Sequence, residues 1–172
     1  MSQLETCVSC GAMLPTIPEG VIHRYMTSSA SCWAAFNALG LLANGAFAAL
    51  AVDAFAVHHP GTPSPQTIQS VAIHLMVLHG VLERGFEPSQ ALWLRLRPGR
   101  PSQISKHDRF QWLTPPELTL GITAADVIAA TSALERSDRL EMWIKEVYWL
   151  WSAAHGAQIA VWFNHFVIAD KI

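Results

Sequence analysis

Charged side chains are scarce in this sequence, where Asp, Glu, Lys and Arg make up 14% of the residues. An average domain carries roughly 25%, and hydrophobic residues here reach 51%. Most of the surface of each helix must therefore be buried, either within the chain or in a homo-oligomer. Lys and Arg form no block and the net charge is −2, so the chain lacks the basic surface with which proteins bind nucleic acid. We predict no nucleic-acid partner.

Cysteine is rare as well, and its three residues are too few for a disulfide framework. The first residues do not combine a basic segment with an apolar one, so we predict no signal peptide. Together these two absences predict a cytoplasmic protein whose thiols are reduced.

Lys, Arg and Glu are absent from the stretch between Trp33 and Val57. A helix that spans a membrane needs about 20 mostly apolar residues. Here Asn44 and Gly45 indicate a turn, and Asp53 would be costly in the middle of a bilayer. Two buried helices fit this stretch better than one membrane span, so we predict no membrane partner.

Neither alternating strands nor internal repeats are evident, and apolar residues recur at helical spacing over most of the chain. We predict a mostly α fold, a compact bundle of four to six helices that forms a single domain over residues 1–172. Proline and glycine punctuate residues 1–28, which are predicted to form an irregular arm resembling a zinc knuckle. This arm is expected to pack on a helical core at residues 29–172.

Helix boundaries follow from capping residues, proline and glycine. Ser29 or Ser31 can cap the first helix, and Ser64-Pro65 is a typical start for the third. A last, long helix is predicted after Ser137, and Gly156 is expected either to break it or to weaken it within a helix that continues over residues 157–168. The other predicted segments are helices at 32–43, 46–58, 65–84, 89–96 and 123–134, an exposed loop at 97–108, and a segment at 112–116 that lies over the bundle.

The clearest chemical motif is Cys7-Val-Ser-Cys10-Gly11. Two thiols three residues apart can bind one metal ion in a tight turn, and the glycine relieves the strain of that turn. A redox pair would need a strand before it and a helix after it, but Pro15 and Pro18 follow closely. The spacing therefore favours metal binding over a redox pair, and a cysteine pair without a special role is the third interpretation.

The motif needs further ligands to complete a zinc site. Cys32 is the third thiol, and the fourth ligand must be a histidine or a carboxylate. We assign it to His59, which is presented at a corner where Pro60 ends a helix. His23 is the alternative fourth ligand, and His58 is expected to point in a different direction from its neighbour.

Three further residues are candidates for catalysis: Asp53, His74 and His155. Asp53 lies in an apolar helix, where a carboxylate must be paired, hydrogen-bonded or neutral, and it could orient a metal-bound histidine. His74 is expected to be buried, and His155 follows Trp151 by one helical turn on the same face. Each candidate also has a structural interpretation, in which it bonds a carbonyl or caps a neighbouring element.

Several motifs along the chain are similar to those of a family of uncharacterised bacterial proteins classed as a domain of unknown function. They are Cys7-x-x-Cys10-Gly11-Ala12, His23-Arg24-Tyr25, Cys32-Trp33, Val52–Gly61, His74-Leu75, Leu82–Gly85, Trp143, and Trp149-x-Trp151 with His155. This resemblance covers nearly the full chain, although Phe55 and His58 stand where the family usually has Tyr and Gln. His59 matches the family's histidine, so the resemblance favours it as a ligand. It implies no assigned activity.

The first functional hypothesis is a cytoplasmic, zinc-binding helical protein with an unknown partner or ligand. Its site is formed by Cys7, Cys10, Cys32 and His59, and it is structural when all four positions are filled by protein. A protein without a metal, whose apolar surplus forms a homodimer interface, is a further interpretation.

The alternative hypothesis is a metal-dependent hydrolase or transferase with a histidine-based site in the helical core. In it His59, His74 and His155 would hold a metal with an open water position, and Asp53 would orient a ligand or act as a base. The sequence contains no nucleophile elbow, phosphate-binding glycine loop or His-Glu-x-x-His helix. An enzyme would therefore have to depend on a metal, and the sequence does not decide whether the protein is one.

Overall fold

The computed structural model describes residues 3–99, 110–118 and 121–169. Among these residues the fold is mostly helical, as the sequence predicts, with one two-stranded sheet. The elements are β1 (Leu4–Thr6), β2 (Met13–Pro15), α1 (Ala30–Leu42), α2 (Ala51–His58), α3 (Pro65–Leu82), α4 (Ala91–Leu96), α5 (Ala124–Ile128) and α6 (Ala133–Phe163). Most of the predicted loop at 97–108 lies outside the described residues. None of the described helices combines the length and the apolar character that a membrane span requires.

The amino-terminal arm is more regular than predicted. β1 and β2 pair antiparallel, with Leu4 opposite Pro15 and Thr6 opposite Met13. Each strand has three residues, too few for the alternation by which a strand is recognised in a sequence. The prediction of an irregular arm was therefore wrong for these strands. Their hairpin carries the CxxC motif in the loop at its tip.

Serine side chains begin α1 and α3, as predicted. Ser29 Oγ accepts a hydrogen bond from the backbone amide of Cys32 over 3.1 Å, and Ser64 Oγ accepts one from the amide of Thr67 over 3.1 Å. The first cap places Cys32 in the first turn of α1. Helix α3 ends two residues earlier than predicted.

Helix α2 is the central element, as its apolar circumference predicts. Every residue from 53 to 58 is buried, although a 3-10 turn precedes α2 where one continuous helix was predicted. Two indole N–H groups of α6 donate hydrogen bonds to residues at the carboxyl end of α2. Trp151 Nε1 donates to the carbonyl of Val57 over 3.0 Å, and Trp143 Nε1 donates to Nδ1 of His58 over 2.9 Å. These bonds fix the end of α2, and with it the corner that follows.

Helix α6 is longer than predicted, at 31 residues. It begins at Ala133 because Ser132 Oγ accepts a hydrogen bond from the amide of Glu135 over 3.1 Å. The predicted start after Ser137 was wrong by more than one turn, and α5 ends correspondingly earlier than predicted. The helix also continues through Gly156, so of the alternatives left open at this glycine the break does not occur.

The segment between the hairpin and α1 contacts the corner that follows α2. The amide of Thr27 donates to the carbonyl of His59 over 3.2 Å. Gly61 approaches the carbonyl of Tyr25 so closely that a side chain at this position would overlap it. The arm and the corner are therefore held together by backbone contacts on both sides of His59.

Candidate metal centre

The tip of the hairpin holds the first two thiols. Its loop is closed by two backbone hydrogen bonds of 2.9 Å, from the amide of Cys7 to the carbonyl of Ala12 and from the amide of Gly11 to the carbonyl of Cys7. Gly11 has a φ of 74°, in the left-handed region that glycine adopts without steric cost. This tight turn places both Cys7 and Cys10 in the interior, where each is 1% exposed.

Two helix ends supply the other side chains. Cys32 is buried in the first turn of α1, and His59 follows the last residue of α2. Nδ1–H of His59 donates to the carbonyl of Phe55 over 3.0 Å, and the two rings stack with their centroids 4.0 Å apart. This bond occupies Nδ1, so Nε2 is the nitrogen that faces the thiols, and it lies 3.3 Å from Sγ of Cys32. Carbonyls commonly orient metal-binding imidazoles in this way.

The structure brings Cys7, Cys10, Cys32 and His59 together in a group that could hold a metal ion. Their ligand atoms all lie within 4.8 Å of one another. The sulfurs of Cys10 and Cys32 are 3.7 Å apart, whereas a disulfide bond measures about 2.05 Å. Zinc–sulfur bonds of about 2.3 Å in a tetrahedral site place two sulfurs roughly 3.8 Å apart. Both the spacing and the soft donor set therefore fit zinc.

The pKa values of the three thiols are shifted in different directions. Hydrogen bonds from Cys10 and Cys32 hold the pKa of Cys7 far below its usual value. Hydrogen bonds to Cys10 and Cys7, together with burial, raise the pKa of Cys32. For Cys10, the bond with Cys32 lowers the pKa, but the bond with Cys7 and burial outweigh it and raise the pKa to about 12. The thiolate form is thus favoured at Cys7 and disfavoured at Cys10 and Cys32.

The other two histidines considered as ligands do not join this group. Nε2–H of His58 donates to the carbonyl of Leu118 over 2.9 Å, and its Nδ1 accepts the indole N–H described above. Burial lowers the pKa of His58 to about 4, so the ring is neutral and both of its nitrogens are bonded. His23 packs against the ring of Trp33, and its Nδ1 accepts from the amide of Tyr25.

The three catalytic candidates also lie outside the group. Asp53 is fully buried and bonded to His74 and Arg95. Nε2–H of His155 donates to a backbone carbonyl over 2.7 Å. Within the described residues, the group with metal-ligand spacing contains neither His74 nor His155. The structure therefore does not bring His59, His74 and His155 together, as the histidine-based metal site of the alternative hypothesis requires.

Two interactions were missed in the sequence. Arg95, on the short helix α4, pairs with Asp53 across 42 positions, and no local pattern connects them. His79 is buried, and its Nδ1–H donates to the hydroxyl of Tyr148, which in turn donates to Glu83. Burial lowers the pKa of His79. The only signal in the sequence for these hydrogen bonds was that His79 and Glu83 are one helical turn apart.

Fold and site together define a helical protein in which a buried group of three cysteines and one histidine connects an amino-terminal hairpin to the helices. A family model described as a family of unknown function (DUF5946) matches residues 5–152. The chain therefore belongs to this family, which confirms the resemblance to a domain of unknown function. Comparisons with curated proteins and with solved structures find no match.

Proposed function

We propose that Cys7, Cys10, Cys32 and His59 bind one zinc ion. The observation that carries the proposal is the convergence of four buried sulfur and nitrogen ligand atoms within 4.8 Å. Three thiolates and one imidazole are a common donor set of structural zinc sites. The carbonyl bond at Nδ1 of His59 supports the proposal further, because it leaves Nε2 free for the ion.

The number of ligands supports a structural role for this ion. Four protein ligands fill a tetrahedral coordination shell, whereas a catalytic zinc keeps a position open for water or substrate. All four residues are also buried, so a substrate would have no direct approach to the ion. The same donor set offers less support to a metal-dependent hydrolase or transferase.

A bound zinc would join the tip of the hairpin, the start of α1 and the end of α2. A two-stranded hairpin is marginally stable by itself, and the strands here have three residues each. The ion would therefore fix the hairpin on the helices and present its outer side chains, such as the exposed Val8 and Met13, to a partner. Thiol ligands must stay reduced, which supports a cytoplasmic location. A homo-oligomer remains a prediction.

Metal analysis of the full-length chain, purified without chelator, tests this function. We expect about one zinc ion per chain in the wild type and its loss in Cys7→Ser and His59→Ala. His23→Ala and His74→Ala are matched controls that remove histidines outside the group, and both should keep the metal.

Two outcomes would contradict the proposal. Zinc retained by Cys7→Ser and lost by His74→Ala would favour a histidine-based site instead. Wild-type protein that stays free of stoichiometric zinc after the ion is supplied would exclude both metal hypotheses. Because a ligand variant can unfold, cobalt(II) titration of the wild type gives a second readout, in which we expect the absorption of a tetrahedral cobalt–thiolate complex.

A further inference from the structure

A cavity of about 230 Å³, partly open to solvent, lies between the amino-terminal hairpin and α5. Residues 10–13 form its hairpin side, and Thr123, Ala125 and Asp126 form its α5 side. Cys10 belongs to this lining, whereas Cys7 and Cys32 do not. A water molecule takes up about 30 Å³ of the liquid, so the cavity has room for a small oxidant such as hydrogen peroxide. It brings a molecule of this size beside Cys10, a side chain that is otherwise buried.

Cys10 is also in direct contact with the thiol of Cys32. The two sulfurs are 3.7 Å apart and must approach by about 1.7 Å to reach the roughly 2.05 Å of a disulfide bond. Cys10 is held by the turn that Gly11 closes, and Cys32 is held in the first turn of α1. A bond between them therefore requires only a local shift of the hairpin tip toward α1.

We propose that the zinc site is redox-sensitive: a peroxide that enters the cavity oxidises Cys10, a disulfide forms between Cys10 and Cys32, and the zinc ion leaves. This inference rests on the proposed function and adds regulation to the same four residues. Cys10 reacts first because it lines the cavity, and Cys32 reacts second because its sulfur lies against that of Cys10.

The reaction proceeds in two steps. The sulfur of Cys10 attacks one oxygen of hydrogen peroxide, a sulfur–oxygen bond forms, the oxygen–oxygen bond breaks, and hydroxide leaves. The sulfur of Cys32 then attacks the sulfenic acid of Cys10, a sulfur–sulfur bond forms, and a second hydroxide leaves. Two thiolates thus lose two electrons in total, and the peroxide is reduced to two hydroxide ions, which take protons from solvent.

The disulfide removes two of the four zinc ligands. Cys7 and His59 are left, and two protein ligands are too few for a structural zinc site. The new bond joins residues 22 positions apart, so the hairpin tip stays connected to α1. The corner after α2 loses its connection to the hairpin, which had passed from His59 through the ion. Oxidation therefore detaches one of the three elements that the zinc would join.

Treatment of the full-length, zinc-loaded chain with hydrogen peroxide tests this inference. A colorimetric chelator measures the zinc that is released, and mass spectrometry of proteolytic peptides identifies the disulfide. We expect loss of the bound ion together with a disulfide between Cys10 and Cys32. A dithiol reductant and added zinc should restore the original zinc content.

A substitution in the cavity tests the route of the oxidant. Ala125→Leu fills part of the cavity and should slow zinc release several-fold, because peroxide reaches Cys10 less readily. Ala129→Leu is the matched control, since it adds the same side chain at an exposed position after α5 that does not line the cavity. It should release zinc at the wild-type rate. Both variants should contain the wild-type amount of zinc before treatment.

Three results would overturn the inference: zinc retained in peroxide, a disulfide between Cys7 and Cys10 instead, or equal rates of release in wild type and Ala125→Leu. If Ala125→Leu does not fold, the first two measurements on the wild type decide. Metal analysis before treatment separates this inference from the proposed function. Protein that binds no supplied zinc contradicts both, whereas protein that binds zinc and keeps it in peroxide contradicts only the redox-dependent release.

Discussion

Removal of zinc should lower the free energy of unfolding by about 4 kcal/mol, relative to protein at a free zinc concentration roughly 1,000 times the dissociation constant. The ion binds the folded chain, in which the four ligands converge, and hardly binds the unfolded chain, in which they are dispersed. Urea denaturation in the presence of zinc and of a chelator measures the difference. The loss of stability should begin locally in the hairpin. Amide hydrogen exchange should therefore accelerate in β1 and β2 before it accelerates in α3 and α6.

Cys32→Ser is the control for this result, because a variant without a complete site should not respond to the chelator. An unchanged unfolding free energy in chelated wild-type protein, with unchanged exchange in the hairpin, would contradict a structural zinc ion. A uniform loss of protection through all helices would show instead that the ion supports the whole fold.

Asp53→Ala should destabilise the zinc-loaded protein by about 3–5 kcal/mol, the usual cost of removing one partner of a buried ion pair. The variant leaves the guanidinium of Arg95, whose side chain is 21% exposed, without its carboxylate. It also removes the acceptor of His74 Nδ1. Urea denaturation measures the change, and the zinc content should remain that of the wild type because none of these residues belongs to the metal centre.

Glu141→Ala is the matched control, since it removes a carboxylate from an exposed pair on α6. Lys145 Nζ and Glu141 Oε1 are 2.6 Å apart, and their side chains are 47% and 39% exposed. Surface ion pairs of this kind contribute little to stability, so the free energy of unfolding of Glu141→Ala should differ from that of the wild type by at most about 1 kcal/mol. If Asp53→Ala and Glu141→Ala lowered the free energy of unfolding equally, the buried pair of Asp53 with Arg95 would contribute no more than an exposed pair.

The group of three cysteines and one histidine that could hold a metal could be predicted from the sequence because its signals are local. Cys7 and Cys10 have ligand spacing, and Pro60 marks the corner that follows His59. The choice of His59 over His58 also depends on the local course of the chain, because the two side chains leave the end of α2 in different directions. Cys32 was selected simply as the remaining thiol, and the prediction of these four residues as one group agrees with their convergence in the structure.

The contacts that depend on tertiary packing could not be predicted. The sequence required a partner for Asp53, but Arg95 comes from a six-residue helix with a weak pattern. The hairpin was missed because its strands are too short to alternate. The start of α6 was predicted after Ser137, whereas in the structure Ser132 caps the helix. Local chemical motifs could thus be predicted from the sequence, whereas contacts between residues distant in the chain could not.

X-ray absorption spectroscopy at the zinc edge of the purified wild-type protein tests the central claim most directly. The account predicts a four-coordinate ion with three sulfur neighbours at about 2.3 Å and one nitrogen at roughly 2.0–2.1 Å. Fewer than three sulfur neighbours, or a shell with more than one nitrogen or oxygen, would contradict the closed site formed by Cys7, Cys10, Cys32 and His59.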